Sequence, residues 1–404
     1  MLPTVQQPIA GTTDRLRMAV GQFMNVDDMT LGDGKDFVVR FRGHLSMEST
    51  QAYALAAESF RGLGYTPLFR KDGATHVVLA MAGTLNPGPS RVWINYVMFG
   101  LTVLSVWYTG AEYNNSSAVL PATAAGWLSY LSGGLPFVVT MLGILLAHEL
   151  GHYFAARYHK VAVTLPYFIP FPLSPFGTMG AFIQLKAPPT NRRVLLDIGI
   201  AGPLAGFIVA VPVLVFGLLT SPVSPIPAVL GANQGMSFEG NSILYVVAKF
   251  LVFGRLLPAP ATFGGLPPLL YMLRYYLLGT PTPLGGTDVM LNSVAWAGWA
   301  GLLVTGLNLI PAGQLDGGHA LYVLVGRQAR RLVPVIIVVL ILLGFVWTGW
   351  FLWAAIIYFL GRTFAEPLDQ ITELDPTRKL LAILALVIFF LVITPVPLSI
   401  LQGR

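Results

Sequence analysis

Between residues 137 and 158 the chain runs through an apolar stretch long enough to cross a bilayer, and near its end it carries His148, Glu149, Leu150, Gly151 and His152. A run of that length in lipid must satisfy its backbone polar groups internally, so a helix is the structure open to it. A helix sets positions i and i+4 one turn apart on one face, so both imidazoles can reach one zinc ion. Glu149 projects beside them, where a carboxylate can take a proton from water. Ionisable groups at that depth are costly and usually functional. A purely structural pair of histidines would leave Glu149, in the same turn, without a reason.

That stretch is one of several. The 404 residues are 55% hydrophobic and 10% charged, with a mean hydropathy of +0.69. Such values exclude an ordinary soluble domain and predict a polytopic α-helical membrane protein of about six to eight spans. Cysteine is absent, so disulfides and thiolate zinc sites are excluded and any metal must be held by His, Asp or Glu. The net charge is +6, yet residues 1–91 hold nine Lys/Arg against eight Asp/Glu. The excess therefore belongs to the membrane part, as expected of basic residues at a membrane surface, and gives no support to nucleic-acid binding. Residues 1–20 lack a long apolar core and an A-x-A cleavage site, so no signal peptide is expected, and a multi-pass plasma-membrane protein is.

Along the chain, three regions are expected: a polar lead-in at 1–36, a small soluble α+β domain with its linker at 37–91, and a membrane domain at 92–404 with its core at 137–319. The alternation FVVRFRGHL predicts a strand at 37–45, and STQAYALAAESFR a helix at 49–61 with Ser49 as N-cap. Strands follow at 65–70 and 76–81, joined by Lys71, Asp72 and Gly73, which gives a βαββ unit of ferredoxin-like character. His44 and His76 are read as ordinary histidines of this sheet. Spans are expected at 92–109, 137–158, 194–219, 290–310 and 380–401, with 333–360 as one tilted helix or a tight hairpin. The loop 111–135 carries no Lys or Arg, so it faces outward and the N-terminal domain is cytoplasmic. For 290–310 to meet the histidines from the right side, 221–286 must cross an even number of times. Zero is expected, with 243–257, interrupted by Lys249 and Arg255, lying in the interface. The segment GTMGAFIQL at 177–185 has strand composition, with glycines where another backbone can approach; it is read as an edge strand lining a cavity. Gly199, Gly202 and Gly206 give the next helix a small face for packing on 137–158, and Asp197 is assigned to capping or to the helix dipole.

Two histidines and a base leave one protein ligand wanting for a catalytic zinc. Asp197, Asp316 and His319 are the candidates at membrane depth. Asp316 lies in NLIPAGQLDGGH, from Asn308 to His319, which matches the signature NxxPxxxLDG. With HELGH in an earlier span, the chain resembles the site-2 protease family of intramembrane zinc metalloproteases. The likeness extends through GTMGAFI (177–183), DIGIAGPLAG (197–206) and AGWAGLLVTGLNLIPAGQLDGGH (297–319), and covers residue 37 to the C-terminus. The tail EPLDQITELDPTR (366–378) and the βαββ lead-in are similar to the bacterial and plastid branch that includes the plant EGY proteins; no stretch resembles a PDZ domain or a CBS pair.

The resemblance implies His148, His152 and Asp316 as ligands of one Zn2+, with His319 as the alternative third, and Glu149 as the base. It implies that Asn308 helps to hold the tetrahedral intermediate or the substrate backbone. The partners it implies are a transmembrane protein substrate and the lipid bilayer. A transmembrane substrate hides its peptide bonds in helical hydrogen bonds and must unwind; Gly177, Thr178, Met179, Gly180, Ala181 and Phe182 are the candidates to hold it by β-augmentation. The competing class is an ion or metal transporter using His148, His152 and Asp316 as a transit site. Transporters commonly show inverted repeats, which this sequence lacks, and Glu149 set beside the ligand face favours chemistry. An inactive scaffold would show a damaged ligand or base, and none is damaged.

Overall fold

The computed structural model describes residues 10–34, 37–115, 121–231, 235–361 and 363–403. Six elements come first: α1 (Ala10–Gly21), β1 (Met24–Leu31), β2 (Val39–Leu45), α2 (Ser49–Gly62), β3 (Tyr65–Asp72) and β4 (Thr75–Ala82). The strands form an antiparallel sheet in the order β1-β2-β4-β3, so β2-α2-β3 is a split βαβ unit with β4 between its strands. That is half of a ferredoxin-like arrangement. The other half is replaced by α1 and β1, which fall in the stretch expected to be a polar lead-in. The correction has a physical basis: β1 reads MNVDDMTL and buries only Met24, so it shows no apolar alternation and is held by pairing with β2. For α1 a signal was present, because Leu16, Ala19, Val20 and Phe23 are buried at helical spacing. Ser49 is the first residue of α2 rather than its cap; Glu48 holds the cap position, and the Ser49 hydroxyl donates to Asp369 at 3.0 Å. The β3–β4 turn falls at Gly73-Ala74, one residue past Asp72, with Gly73 at φ +61°.

Next come α3 (Val92–Asn114), α4 (Ala124–Ser132), α5 (Leu135–Tyr158), the strands β5 (Tyr167–Pro170) and β6 (Thr178–Phe182), and α6 (Arg192–Leu219). Among the described residues α3, α5 and α6, with 23, 24 and 28 residues, are long and apolar enough to cross a membrane. At about 1.5 Å per residue each exceeds a hydrocarbon core of about 30 Å. The loop 111–135 is not featureless, since it holds α4, capped by the Thr123 hydroxyl.

The segment after α6 contains β7 (Val223–Pro225), β8 (Gly235–Glu239), α7 (Ile243–Phe253), α8 (Pro268–Leu278) and β9 (Thr287–Val289). Its two helices have 11 residues each, about half of what a crossing requires. Lys249 on α7 is fully buried, with its ammonium 3.8 Å from Asp288 and 4.4 Å from the centre of the Tyr245 ring. Lys249→Met is expected to destabilise the protein by about 3–5 kcal/mol, because Asp288 keeps a buried charge without its partner. The fall in Tm of the purified protein should be largely reversed by adding Asp288→Asn.

The remainder is α9 (Ser293–Asn308), α10 (Asp316–Val325), α11 (Ala329–Gly344), α12 (Gly349–Leu360), α13 (Pro376–Val392) and β10 (Leu398–Gln402). Residues 333–360 form a hairpin of α11 and α12, one of the two arrangements expected. α9 is shorter than the expected span: it starts at Ser293 with Asn292 as cap, and the residues before it pair as β9 with β7. The last expected span, 380–401, is helical only to Val392. Pro395 and Pro397 cannot continue a helix, and β10 beyond them pairs antiparallel with β8.

One hydrophobic core lies among the helices and another between α1, α2 and the four-stranded sheet. Residues 366–372 join the two. Phe69 N donates to Leu368 O (2.9 Å), Gln370 N to Phe69 O (3.0 Å) and Asp369 N to Thr190 O (2.7 Å). This tail therefore runs beside β3 and fastens the sheet to the start of α6. Asp369, fully buried, accepts from Ser49 Oγ, from the Ile371 and Thr372 amides and from Thr372 Oγ1.

Candidate metal centre

The apolar run of α5 brings His148, Glu149 and His152 into the bundle, where they are 4%, 4% and 6% exposed. α9 ends at Asn308, and the chain then turns through Gly313 at φ +57°, where a Cβ would lie 2.3 Å from Gly361 Cα. Only glycine fits that turn, and it sets Asp316 as the first residue of α10, where the helix dipole favours a carboxylate. Asp316 thereby meets both histidines. His148 Nε2 lies 3.4 Å from Asp316 Oδ2, His152 Nε2 lies 3.3 Å from Asp316 Oδ1, and the two Nε2 atoms are 3.3 Å apart.

These three edges test whether the residues fit a metal ion. Tetrahedral zinc with bonds of about 2.0–2.1 Å has ligand–ligand edges of about 3.3–3.4 Å. Both histidine–aspartate approaches and the Nε2–Nε2 distance are of that size, although the two histidines meet different oxygens of Asp316, so the group could hold one metal ion. The supporting shell agrees. His152 Nδ1 is 2.6 Å from the Ile198 carbonyl, which can only accept; Nδ1 therefore carries the proton and Nε2 presents its lone pair to the triangle. Glu149 lies outside the triangle, and its Oε2 is buried without a hydrogen-bond partner. A buried carboxylate oxygen without a protein partner is costly, and Glu149 lines the cavity beside the ligand residues.

Gly202 and Gly206 of α6 pack on α5 as expected, with a sharper purpose, whereas Gly199 meets α10. A Cβ on Gly202 would lie 2.1 Å from His152 Nε2, inside the ligand atom itself. Gly206 and Gly199 likewise face His148 and His319. Helix packing alone would accept alanine at Gly202, whereas the His152 ring does not.

A cavity of about 230 Å³ opens beside the triangle, lined by the three ligand residues, Glu149, Asn308, His319 and the end of β6. Asn308 Nδ2 is 3.3 Å from His148 Nε2, which brings its amide to the edge of the ligand group. Of the six residues expected to hold substrate, Ala181 and Phe182 line this cavity. Met179 is exposed, Gly180 sits at φ +98°, and Gly177 and Thr178 lie at the far end of the hairpin. β6 pairs with β5 on one side, and among the described residues its other edge is unpaired.

His319, the alternative ligand, lines the cavity but stands outside the ligand group, with Nδ1 buried and unpartnered. Asp197 is away from the metal centre. It accepts from Arg378 Nε (2.8 Å) and Nη2 (2.6 Å) and lies 2.9 Å from His159 Nε2. The cap of α6 is instead Asn191, whose side chain accepts from Val194 N at 3.0 Å. Asp197 is thus a clasp between α5, α6 and α13, a role hidden in the sequence because Arg378 is 181 positions away.

Peptidase family M50 matches residues 136–348 of this chain. The chain is 30% identical over 330 residues to the probable zinc metalloprotease EGY1, chloroplastic, of Arabidopsis thaliana, covering 77% of this chain and 55% of that protein. It is 31% identical over 334 residues to the probable zinc metalloprotease EGY2, chloroplastic, of the same plant, covering 81% and 54%. Similarity to the probable zinc metalloprotease EGY3, chloroplastic, of Oryza sativa subsp. indica is 26% over 200 residues, covering 50% and 31%. The chain spans about half the length of the first two of these relatives. No solved structure matches it.

Proposed function

Because this chain belongs to peptidase family M50, we propose that it is an intramembrane zinc endopeptidase, hydrolysing peptide bonds in or near the transmembrane segment of membrane-anchored proteins. The observation that carries this reading is the His148–His152–Asp316 group, whose ligand atoms lie close enough to share one metal ion, beside a Glu149 carboxylate whose Oε2 has no hydrogen-bond partner, on a helix of spanning length. Zinc bound there supplies a Lewis acid that makes water a competent nucleophile near neutral pH and polarises the scissile carbonyl. Glu149 takes the proton from the attacking water and returns it to the departing amine. The Asn308 amide donates to the oxygen that becomes negative at the scissile carbon. Gly177 to Phe182 hold the unwound substrate along the open edge of β6, replacing the hydrogen bonds its helix gives up. Nothing among the described residues favours the transporter reading.

The test is cleavage of a single-span substrate by the purified full chain in liposomes. Scission within the span, lost on chelation and restored by zinc, is expected. Metal bound with no scission across a broad substrate panel would overturn the reading.

The strand assignment has its own test. Adjacent residues of a strand alternate the direction of their N–H groups, so proline at Ala181 or at Phe182 removes a donor from the open edge. At least one of these variants should lose roughly tenfold or more in turnover while retaining its zinc. Unchanged turnover in both would remove β6 from the substrate path.

For the wider placement, we read 92–404 as the membrane part, with α9, α11, α12 and α13 joining the three long helices towards six to eight membrane segments. The four-stranded sheet lies on the cytoplasmic face of the plasma membrane. Support comes from charge asymmetry: Arg157, Lys160, Arg192 and Arg193 gather at the sheet end of α5 and α6, and none lies in 111–135. With no native cysteine to interfere, Ser129→Cys should react with an impermeant thiol reagent on intact cells and Thr84→Cys should not. The reverse pattern would invert the topology.

A further inference from the structure

A second cavity, of about 1000 Å³, opens at the end of the helix bundle opposite the four-stranded sheet. Its walls are the end of α3, the β5–β6 turn, the strand pair β8–β10, and β9 with the start of α9. Three carboxylates line it, Glu112, Glu239 and Asp288, together with rings that include Tyr113 and Trp296. No Lys or Arg is among the described lining residues; the nearest balancing charge is Lys249, buried behind Asp288 at 3.8 Å.

This cavity is joined to the metal centre by one rigid element. The β5–β6 turn, 172–175, stands in its wall, and β6 runs from there to Ala181 and Phe182 in the cavity beside the ligands. The five residues of β6 cover about 17 Å. The turn is fixed to α3 rather than loose: Ser105 Oγ donates to Gly177 O and Tyr113 OH to Pro175 O, each at 2.6 Å. A chain lying along the open edge of β6 with its reacting bond at the metal would therefore emerge into this cavity.

From this juxtaposition we infer that the cavity is an exosite for the segment of the substrate that flanks its membrane span on the side away from the sheet, and that it selects a positively charged flank. The inference rests on the endopeptidase reading and extends it to substrate choice. Carboxylates attract Lys and Arg, and aromatic faces add cation–π attraction. The selection is discriminating, because membrane proteins carry their basic residues mostly on the cytoplasmic side. A basic flank on the outer side is uncommon, and a site that reads it would separate a minority of single-span proteins from the rest.

The experiment uses the full chain in liposomes with two single-span substrates that differ only in their outer flank, three lysines in one and three glutamates in the other. The quantity read is the ratio of kcat/KM for the basic over the acidic flank. In the wild type it should be about threefold or more at low salt and fall towards one at high salt. Glu112→Lys, at an exposed position, should reverse the preference, and Glu112→Gln, which keeps an acceptor for the Tyr108 hydroxyl (2.9 Å), should lie between. A wild-type ratio near one, or a ratio unmoved by Glu112→Lys, overturns the exosite while leaving the endopeptidase reading intact. Cleavage of neither substrate overturns both.

Discussion

Glu149→Gln is expected to lower peptide hydrolysis on the order of a thousandfold while leaving zinc content at the wild-type level. Glutamine keeps the shape of the side chain but cannot take a proton. The carboxylate lies outside the His148–His152–Asp316 triangle, so the ligand set is untouched by its loss. Its Oε2 makes no hydrogen bond that the substitution would break. Activity and metal content should therefore separate cleanly, and a paired measurement of scission and bound zinc on the same preparation reads both. Loss of zinc in this variant would make Glu149 part of the metal's support and remove it as the base. Wild-type turnover would leave the proton with no assigned acceptor.

Gly202→Ala is expected to weaken zinc binding by about 100-fold or more. The added methyl would lie 2.1 Å from His152 Nε2, and something must shift. The ring is pinned on its far side by the Ile198 carbonyl at 2.6 Å, so retreat breaks the bond that fixes its tautomer. Gly206→Ala is the graded partner, because its methyl meets His148 Cβ and Nδ1 at 3.2 Å and a few tenths of an ångström relieve the contact. Gly143→Ala on α5 meets nothing within 4 Å and serves as the control. Metal content should fall in the order Gly143→Ala, Gly206→Ala, Gly202→Ala. Full zinc in Gly202→Ala would mean that His152 is not held where the triangle needs it.

The parts of this molecule that were legible in the sequence are those whose physics is local. HELGH needs one helix turn to bring two imidazoles together, and the long apolar runs can only be helices in lipid. Asp316 required more, since it joins the histidines through a turn about 160 residues downstream, and the residues alone, which give Asp197 a role in its own helix, leave it beside His319 as a candidate. The resemblance chose among them. What stayed hidden was set by distant partners. β1 has no apolar alternation and exists because β2 pairs with it. β10 looked like the end of a span because Leu398, Ile400 and Leu401 are apolar, but they face β8 across a separation of more than 150 residues. Asp197 was assigned to its own helix because a capping role is the local option, and its actual partners sit on α5 and α13.

The tail that runs beside β3 also bears on how the polypeptide is made. The bonds from Arg70 Nη1 to the carbonyls of Pro367 (3.3 Å) and Leu368 (2.7 Å) connect residues 297 and 298 positions apart. At about 5–20 residues per second, a ribosome takes roughly 15–60 s to cover that distance. Throughout that interval β3 presents an unpaired backbone edge, the kind of surface that recruits other strands. Until Leu368 and Asp369 are made, the sheet lacks both its partner at Phe69 and its fastening to the start of α6.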